Sequence, residues 1–228
     1  MIGLISDIHG NAAALEAVLA ALDAQSVDGV YCLGDVGGYY SEINQCCAAL
    51  RAREIPTLMG NHDWYLASGE PCPRSQSAND CLRYQHSVIE PDHLEWLRGL
   101  PRELEFGALR MIHGGWKDPL DEYLEPSDEY FDALGGRYFA TGHLHVQYVW
   151  QGKRATYCNP GSVGQPRDGD PRAAFATWDG ERFALHRVEY DVDRAAADMR
   201  AAGFDAYYYE NLYAGARIGG KLSRRPVP

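Results

Sequence analysis

The spacing of hydrophobic and polar positions changes along the chain, and the changes mark out its elements. Met1-Ile-Gly-Leu-Ile-Ser6 is an apolar run that predicts a buried strand. Leu15, Val18, Leu19 and Leu22 then recur at helical spacing, with Asn11 placed to cap that helix. Residues 30–33 predict a second strand, 43–53 a second helix and 55–59 a third strand. This alternation implies a largely parallel sheet with helices on its faces. From about 64 to 100 the pattern is helical, with a Pro- and Ser-bearing loop at 70–77 and helices at 78–88 and 92–97. Pro91 suits the first turn of the second of these. The stretch reads as a helical excursion beside the sheet. Short strands at 104–106 and 109–113 return to the core, and Ser127 is placed to cap a helix ending near Leu134. Tyr138-Phe-Ala140 reads as a further buried strand. Beyond His145 the pattern becomes antiparallel, with hairpins turning at Gly152-Lys153 and at Asp179-Gly180. A helix at 193–199, a segment with Tyr207, Tyr208, Tyr209 and Tyr213 expected to pack, and a loose tail at 221–228 follow. The expectation is one domain over 1–228, with the excursion at 64–100 and a C-terminal helical segment and tail at 193–228.

Composition narrows the class. A chain of 228 residues, 46% hydrophobic, is long enough for a sizeable core. The net charge of −11 argues against a protein that coats nucleic acid or an anionic membrane. It does not exclude a phosphate substrate, because cations bound in one pocket can invert the local field. No apolar run approaches the roughly 20 residues of a membrane span. The first strand begins at Met1 and Asp7 follows at once, which leaves no room for a cleaved signal. None of the six cysteines forms a Cys-x-x-Cys pair, and Cys32 and Cys158 lie in apolar, strand-like runs. A reduced, cytoplasmic protein is expected.

Thr141-Gly-His143-Leu-His145 is where candidate chemistry concentrates. In extended chain, residues i and i+2 face the same side, so His143 and His145 can reach one site. Four other stretches fall at predicted strand ends: Asp7-Ile-His9, Gly34-Asp35, Gly60-Asn61-His62-Asp63 and His113-Gly-Gly. In an open parallel sheet the strand C-termini meet along one edge, where ligands bind. Five of the eight histidines lie in these stretches; His86, His93 and His186 do not. Carboxylate, amide oxygen and imidazole together suit Mn, Fe, Zn, Co or Ni.

With these five motifs in order, the sequence resembles the calcineurin-like metallophosphoesterase superfamily. Asn159-Pro-Gly-Ser162 extends the resemblance to its small bacterial and archaeal phosphodiesterase branch. The resemblance implies a four-layer α/β/β/α sandwich of two packed mixed sheets. It implies two divalent transition-metal ions, Mn foremost, with Fe, Ni, Co or Zn as alternatives. One ion would be held by Asp7, His9, Asp35 and His145, the other by Asp35, Asn61, His113 and His143. Two cations about 3.5–4 Å apart clamp a phosphoryl group and activate a bridging hydroxide for in-line attack. His62 would face the leaving group as acid or charge stabiliser, with Asp63 orienting its ring. Asn11, Tyr39 and Arg167, beside motif residues, are candidate substrate contacts.

The phosphoprotein-phosphatase pattern is absent: Asp35 is followed by Val-Gly-Gly-Tyr-Tyr and His62 by Asp63. The expected activity is hydrolysis of a small phosphodiester or phosphomonoester. A dinucleoside polyphosphate hydrolase is the nearest alternative enzyme, and a non-catalytic binding scaffold the alternative of another class. Nuclease action is disfavoured by the charge and by the lack of a basic stripe.

Overall fold

The computed structural model describes residues 1–224. The last part of the expected tail, 225–228, lies outside the described residues. Nine strands and seven α-helices are described: β1 Ile2–Ile5, α1 Ala12–Ala24, β2 Gly29–Cys32, α2 Ile43–Ala52, α3 Asn61–Ser68, α4 Gln76–Val88, α5 Pro91–Arg98, β3 Glu103–Phe106, β4 Leu109–Ile112, α6 Asp128–Leu134, β5 Tyr138–Thr141, β6 Tyr148–Gln151, β7 Thr156–Asn159, β8 Ala173–Trp178, β9 Phe183–Val188 and α7 Val192–Ala201. Two short 3₁₀ turns, Ala206–Tyr208 and Glu210–Ala214, follow.

The strands form two mixed sheets, in the orders β2-β1-β8-β9 and β3-β4-β5-β7-β6. Strand periodicity explains how they stack. Ile2 and Leu4 of β1, Ala176 and Trp178 of β8, Leu109 and Met111 of β4, and Tyr138 and Ala140 of β5 share one buried cluster, which is the layer between the sheets. The alternate residues face outward. Ile5 and Phe175 pack under α1, α2 and α7, while Phe139 and Tyr157 pack under Phe131 of α6. The result is the expected four-layer α/β/β/α sandwich, with the outer layer over the second sheet reduced to one seven-residue helix.

The expected strand at 55–59 is not formed. Pro56 has no N–H to donate, and the segment pairs only through a bridge between Thr57 and Cys32. Cys32 N–H donates to Pro56 O at 2.9 Å, and Leu58 N–H donates to Cys32 O at 2.9 Å. Helix α3 then opens at Asn61, inside the Gly60–Asp63 motif, so the helical excursion begins earlier than the polar pattern suggests. The expected caps are present: Asn11 Oδ1 accepts from Ala14 N–H at 3.1 Å, and Ser127 Oγ from Tyr130 N–H at 3.1 Å. Of the four C-terminal tyrosines, Tyr208 and Tyr209 pack against the core, whereas Tyr207 and Tyr213 remain about half exposed. All six cysteines are free and buried. Among the described residues no helix is long and apolar enough to cross a membrane.

Candidate metal centre

Loops that leave the strands, not the strands themselves, carry six of the seven donors, and the first residue of α3 is the seventh. Asp7 and His9 follow β1, Asp35 follows β2, Asn61 opens α3, His113 follows β4, and His143 and His145 follow β5. The convergence at i and i+2 therefore does not come from extended backbone, as the spacing suggested. Asp7, His9, Asp35, His143 and His145 have φ of 55°, 55°, 56°, 66° and 57°. They are five of the seven non-glycine residues with positive φ among the described residues. Asp and His tolerate this left-handed region better than most side chains, yet each such residue costs about 1–2 kcal/mol. Backbone bonds hold the loops in place: Asp7 N–H to Gly34 O at 3.0 Å, His9 N–H to Asp35 O at 2.9 Å, and Arg167 N–H to His145 O at 3.1 Å. At Gly142 a Cβ would come within 2.0 Å of Ser6 Oγ and 3.0 Å of Asp7 Oδ2, so only glycine lets the chain pass beside Asp7.

The seven expected donors are all buried, none more than 4% exposed. Asp7, His9, Asp35 and His145 place one ligand atom each within 4.8 Å of one another, and so do Asp35, His113 and His143. Asn61 Oδ1 lies in the second group, 3.1 Å from His113 Nε2 and 2.9 Å from His143 Nδ1. The Oδ2 of Asp35 belongs to both groups. It lies 3.7 Å from His9 Nε2 and 3.5 Å from His113 Nε2, and it has no hydrogen-bond partner among the described residues.

The imidazole tautomers decide what this arrangement fits. His9 Nδ1 lies 2.7 Å from Gly37 O, His113 Nδ1 2.7 Å from Leu33 O, and His145 Nδ1 2.7 Å from Gln165 O. A carbonyl oxygen only accepts, so each Nδ1 carries the hydrogen and donates. Burial, together with neighbouring positive groups, holds His9 and His145 well below the usual imidazole range, so both are neutral. Their Nε2 lone pairs face each other at 3.0 Å, with Asp7 Oδ1 3.2 Å from that of His145. Two lone pairs and a carboxylate oxygen at such distances have no donor between them; a cation satisfies all of them. In the second group, burial works against charge on His113, but Asp35 and Asp7 push it up to about 10. The two acids thus call for positive charge here, which a proton or a cation supplies. The donor chemistry fits transition-metal ions.

His62 and Asp63 divide differently from expectation. The His62 backbone N–H donates to Asp35 Oδ1 at 2.8 Å, while its ring lines the cavity above the donors. Asp63 does not orient that ring. Its Oδ2 accepts from Asp35 N–H at 2.8 Å and Gly60 N–H at 3.0 Å, its Oδ1 accepts from Gly37 N–H at 2.9 Å, and His62 Nδ1 has no partner. An acid at the third position of a helix reaches back to free N–H groups at its start, and Asp63 uses that reach to tie the Asp35 loop to α3. Burial and the nearby Asp35 raise Asp63 to about 7, while burial lowers His62.

A cavity of about 470 Å³ opens above the donors. Of the three candidate substrate contacts, Tyr39 and Arg167 line it. Asn11 does not: besides capping α1, it donates from Nδ2 to Gly164 O at 3.0 Å, so its amide is used inside the fold. Arg167 Nε and Nη2 donate to Gln165 Oε1 at 2.8 and 2.6 Å, and its guanidinium lies 5.4 Å from the Tyr39 ring centre. Sequence reasoning missed four lining residues of note: Tyr123, Tyr207, Arg217 and Lys221. Tyr123 places its ring 4.4 Å from that of His143, and nothing in its sequence context signals this. Arg217-Ile-Gly-Gly-Lys221 did carry a signal, two basic residues around a glycine pair in an acidic chain.

Residues 1–182 match the family model of the calcineurin-like phosphoesterase superfamily domain. The chain belongs to this superfamily. As a calcineurin-like phosphoesterase it is 31% identical to the Methanocaldococcus jannaschii protein MJ0912, over 94% of this chain and 98% of that one. The crystal structure of a metallophosphoesterase from Sphaerobacter thermophilus is 32% identical over 94% of this chain and 98% of its own, with a TM-score of 0.81. The Pyrococcus horikoshii protein PH1004 shares the fold at a TM-score of 0.84 and 19% identity, covering 95% of this chain and 100% of itself.

Proposed function

We propose that the protein is a dinuclear metal-dependent phosphoesterase that hydrolyses a small phosphodiester or phosphomonoester. The observation that carries this reading is the Asp35 Oδ2 shared by two donor groups on the floor of a cavity lined by His62. Asp7, His9, Asp35 and His145 would hold one divalent ion, and Asp35, Asn61, His113 and His143 the other. When bound, the ions supply Lewis acidity that activates water and draws charge from the phosphoryl oxygens. The rest falls to side chains of the chain itself. The three Nδ1–H···O=C bonds fix the rings so that each Nε2 points inward. The backbone bond from His62 to Asp35 Oδ1 fixes the start of α3 relative to the donors. The His62 ring then presents an N–H toward the cavity, where it stabilises charge on a leaving oxygen or delivers a proton to it. Arg167, aimed by Gln165, places a positive charge on the wall against the phosphoryl group.

The test is a hydrolysis screen over phosphomonoesters, aryl phosphodiesters, cyclic nucleotides and dinucleoside polyphosphates, with Mn, Ni, Zn and Mg supplied in turn. Activity is expected with Mn, is lost on chelation and returns when Mn is restored. Full activity in excess chelator, after metal removal is verified by elemental analysis, would sink the metal mechanism. Two bound ions with no hydrolysis of any ester would favour the scaffold alternative.

A further inference from the structure

The chain has 32 acidic against 21 basic side chains, so a basic residue has acids to spare for pairing. Many take one: Arg53, Arg74, Arg110, Arg172, Arg187 and Arg194 each form an ion pair with a carboxylate. Arg74 is instructive because it lines the same cavity and is neutralised there by Asp121. Arg167, Arg217 and Lys221 also line the cavity, and among the described residues none of the three has a carboxylate within ion-pair distance. Arg167 is only 5% exposed, and its bonds go to the neutral amide of Gln165. A buried guanidinium with no counter-charge is costly unless a ligand supplies one. Arg217 and Lys221 stand at the exposed mouth.

The segment that brings the outer pair to the mouth is built into the site. Ser223 N–H donates to Arg167 O at 2.7 Å, and Arg217 Nε donates to Ser223 Oγ at 3.0 Å. The buried Asn211 donates from Nδ2 to Tyr40 OH at 3.0 Å, and the same hydroxyl accepts from Gln165 Nε2 at 3.0 Å. Gln165 in turn aims Arg167. The C-terminal segment and the inner arginine therefore share one hydrogen-bonded frame. Arg217 and Lys221 lie beyond residues 1–182, the part that matches the family model. Partial burial, with the field of Arg167 second to it, lowers Arg217, and that second contribution marks two like charges close together.

We propose that Arg167, Arg217 and Lys221 form an anion subsite running from the donor cluster to the cavity mouth, and that the substrate is a small organic phosphate with a second phosphate group outward of the scissile one. This rests on the phosphoesterase reading for what binds at the inner end. The outer phosphate meets cations supplied by the C-terminal segment. Tyr207, 49% exposed at the same cavity, offers ring surface to a planar group, which makes nucleotides suitable probes.

The experiment is calorimetric titration of the manganese-loaded full-length protein with AMP and with ADP. It is repeated with the double variant Arg217→Ala/Lys221→Ala, whose melting temperature and metal content are checked first. ADP is expected to bind about tenfold or more tighter than AMP, the effect of one added charge-assisted contact. In the double variant that advantage should shrink to about threefold or less, and in the unaltered protein it should weaken as salt is raised. ADP binding no tighter than AMP overturns the subsite. So does an advantage that survives in the double variant, because the metals alone then account for it. Hydrolysis of bis(4-nitrophenyl) phosphate by the same preparation reports on the phosphoesterase reading separately. A protein that cleaves this ester without the ADP preference loses only the subsite. One that shows the preference, and loses it in the double variant, yet cleaves no ester retains the subsite and loses the enzymatic reading.

Discussion

At the scale of single residues, His62 stands apart from the donors around it. Its backbone is tied to Asp35 Oδ1, while its ring lines the cavity. A side chain held at its root with its ring at the cavity suits contact with substrate. His62→Ala is expected to keep the fold and the metals and to lose roughly 10²–10⁴ in kcat, the usual span of general acid–base help. The loss should be greatest for esters of alkoxide leaving groups and smallest for nitrophenyl esters. Metal analysis alongside the kinetics checks the assignment: an emptied site would make His62 a ligand. An equal defect for good and poor leaving groups would make it a stabiliser of phosphoryl charge. The place of His62 at the cavity was legible in the sequence because it follows Asn61 within a compact motif. The role of Asp63 was not, since adjacency in sequence says nothing about where a carboxylate turns at the first turn of a helix.

Elements show why the donors were easier to read than the walls. Donor identity survives errors in element type: the chain at 55–59 is a bridge rather than a strand, yet Asn61 still arrives beside His113. The i, i+2 spacing pointed to the right residues through the wrong backbone, because left-handed loops and extended strands can both bring alternate side chains together. The C-terminal wall was poorly legible, since two 3₁₀ turns and a glycine-bearing loop carry no hydrophobic period, and its one signal was the basic pair Arg217 and Lys221. At the start of α3, Asp63 gathers three N–H groups from two segments. Asp63→Ala would leave these donors buried and unpaired at about 1–3 kcal/mol each. A marked fall in melting temperature, with weaker metal retention on dialysis, is expected. A variant with unchanged melting temperature and a purely kinetic defect would return Asp63 to the role of orienting His62.

For the whole molecule, helix packing at a distance from the cavity sets one pH response. Glu42, before α2, faces Asp198 of α7, with Glu16 of α1 and Arg194 of α7 nearby. Burial, then the charge and hydrogen bond of Asp198, raise Glu42 to about 7, while Arg194 pulls the other way. The unfolded carboxyl titrates near 4.5. Between about 4.5 and 7 the folded chain holds a proton that the unfolded chain has released, so this group's contribution to stability falls as pH rises through that window. Glu42→Gln keeps a neutral side chain at every pH. It is expected to raise the melting temperature at pH 8 relative to the parent and to leave it nearly unchanged at pH 4.5. Equal shifts at both values would show that the effect is not the proton.

The left-handed donors have a consequence for how such a chain can change by descent. Positions 7, 9, 35, 143 and 145 hold acids and imidazoles in backbone conformations that glycine or asparagine adopts more readily. Once the ions are no longer needed, selection for folding alone favours replacement there, and each replacement removes a ligand. Asp7→Asn is the simplest such step: it keeps an oxygen that can accept from the His143 N–H and removes one buried charge from beside Asp35. In chelator the variant is expected to melt above the chelated parent, by roughly 2–4 °C for each kcal/mol gained. With manganese present the order should reverse, because only the parent gains the binding free energy of the ions. Loss of activity in this lineage would then be downhill and its recovery uphill, an asymmetry that can be measured on two proteins in two buffers.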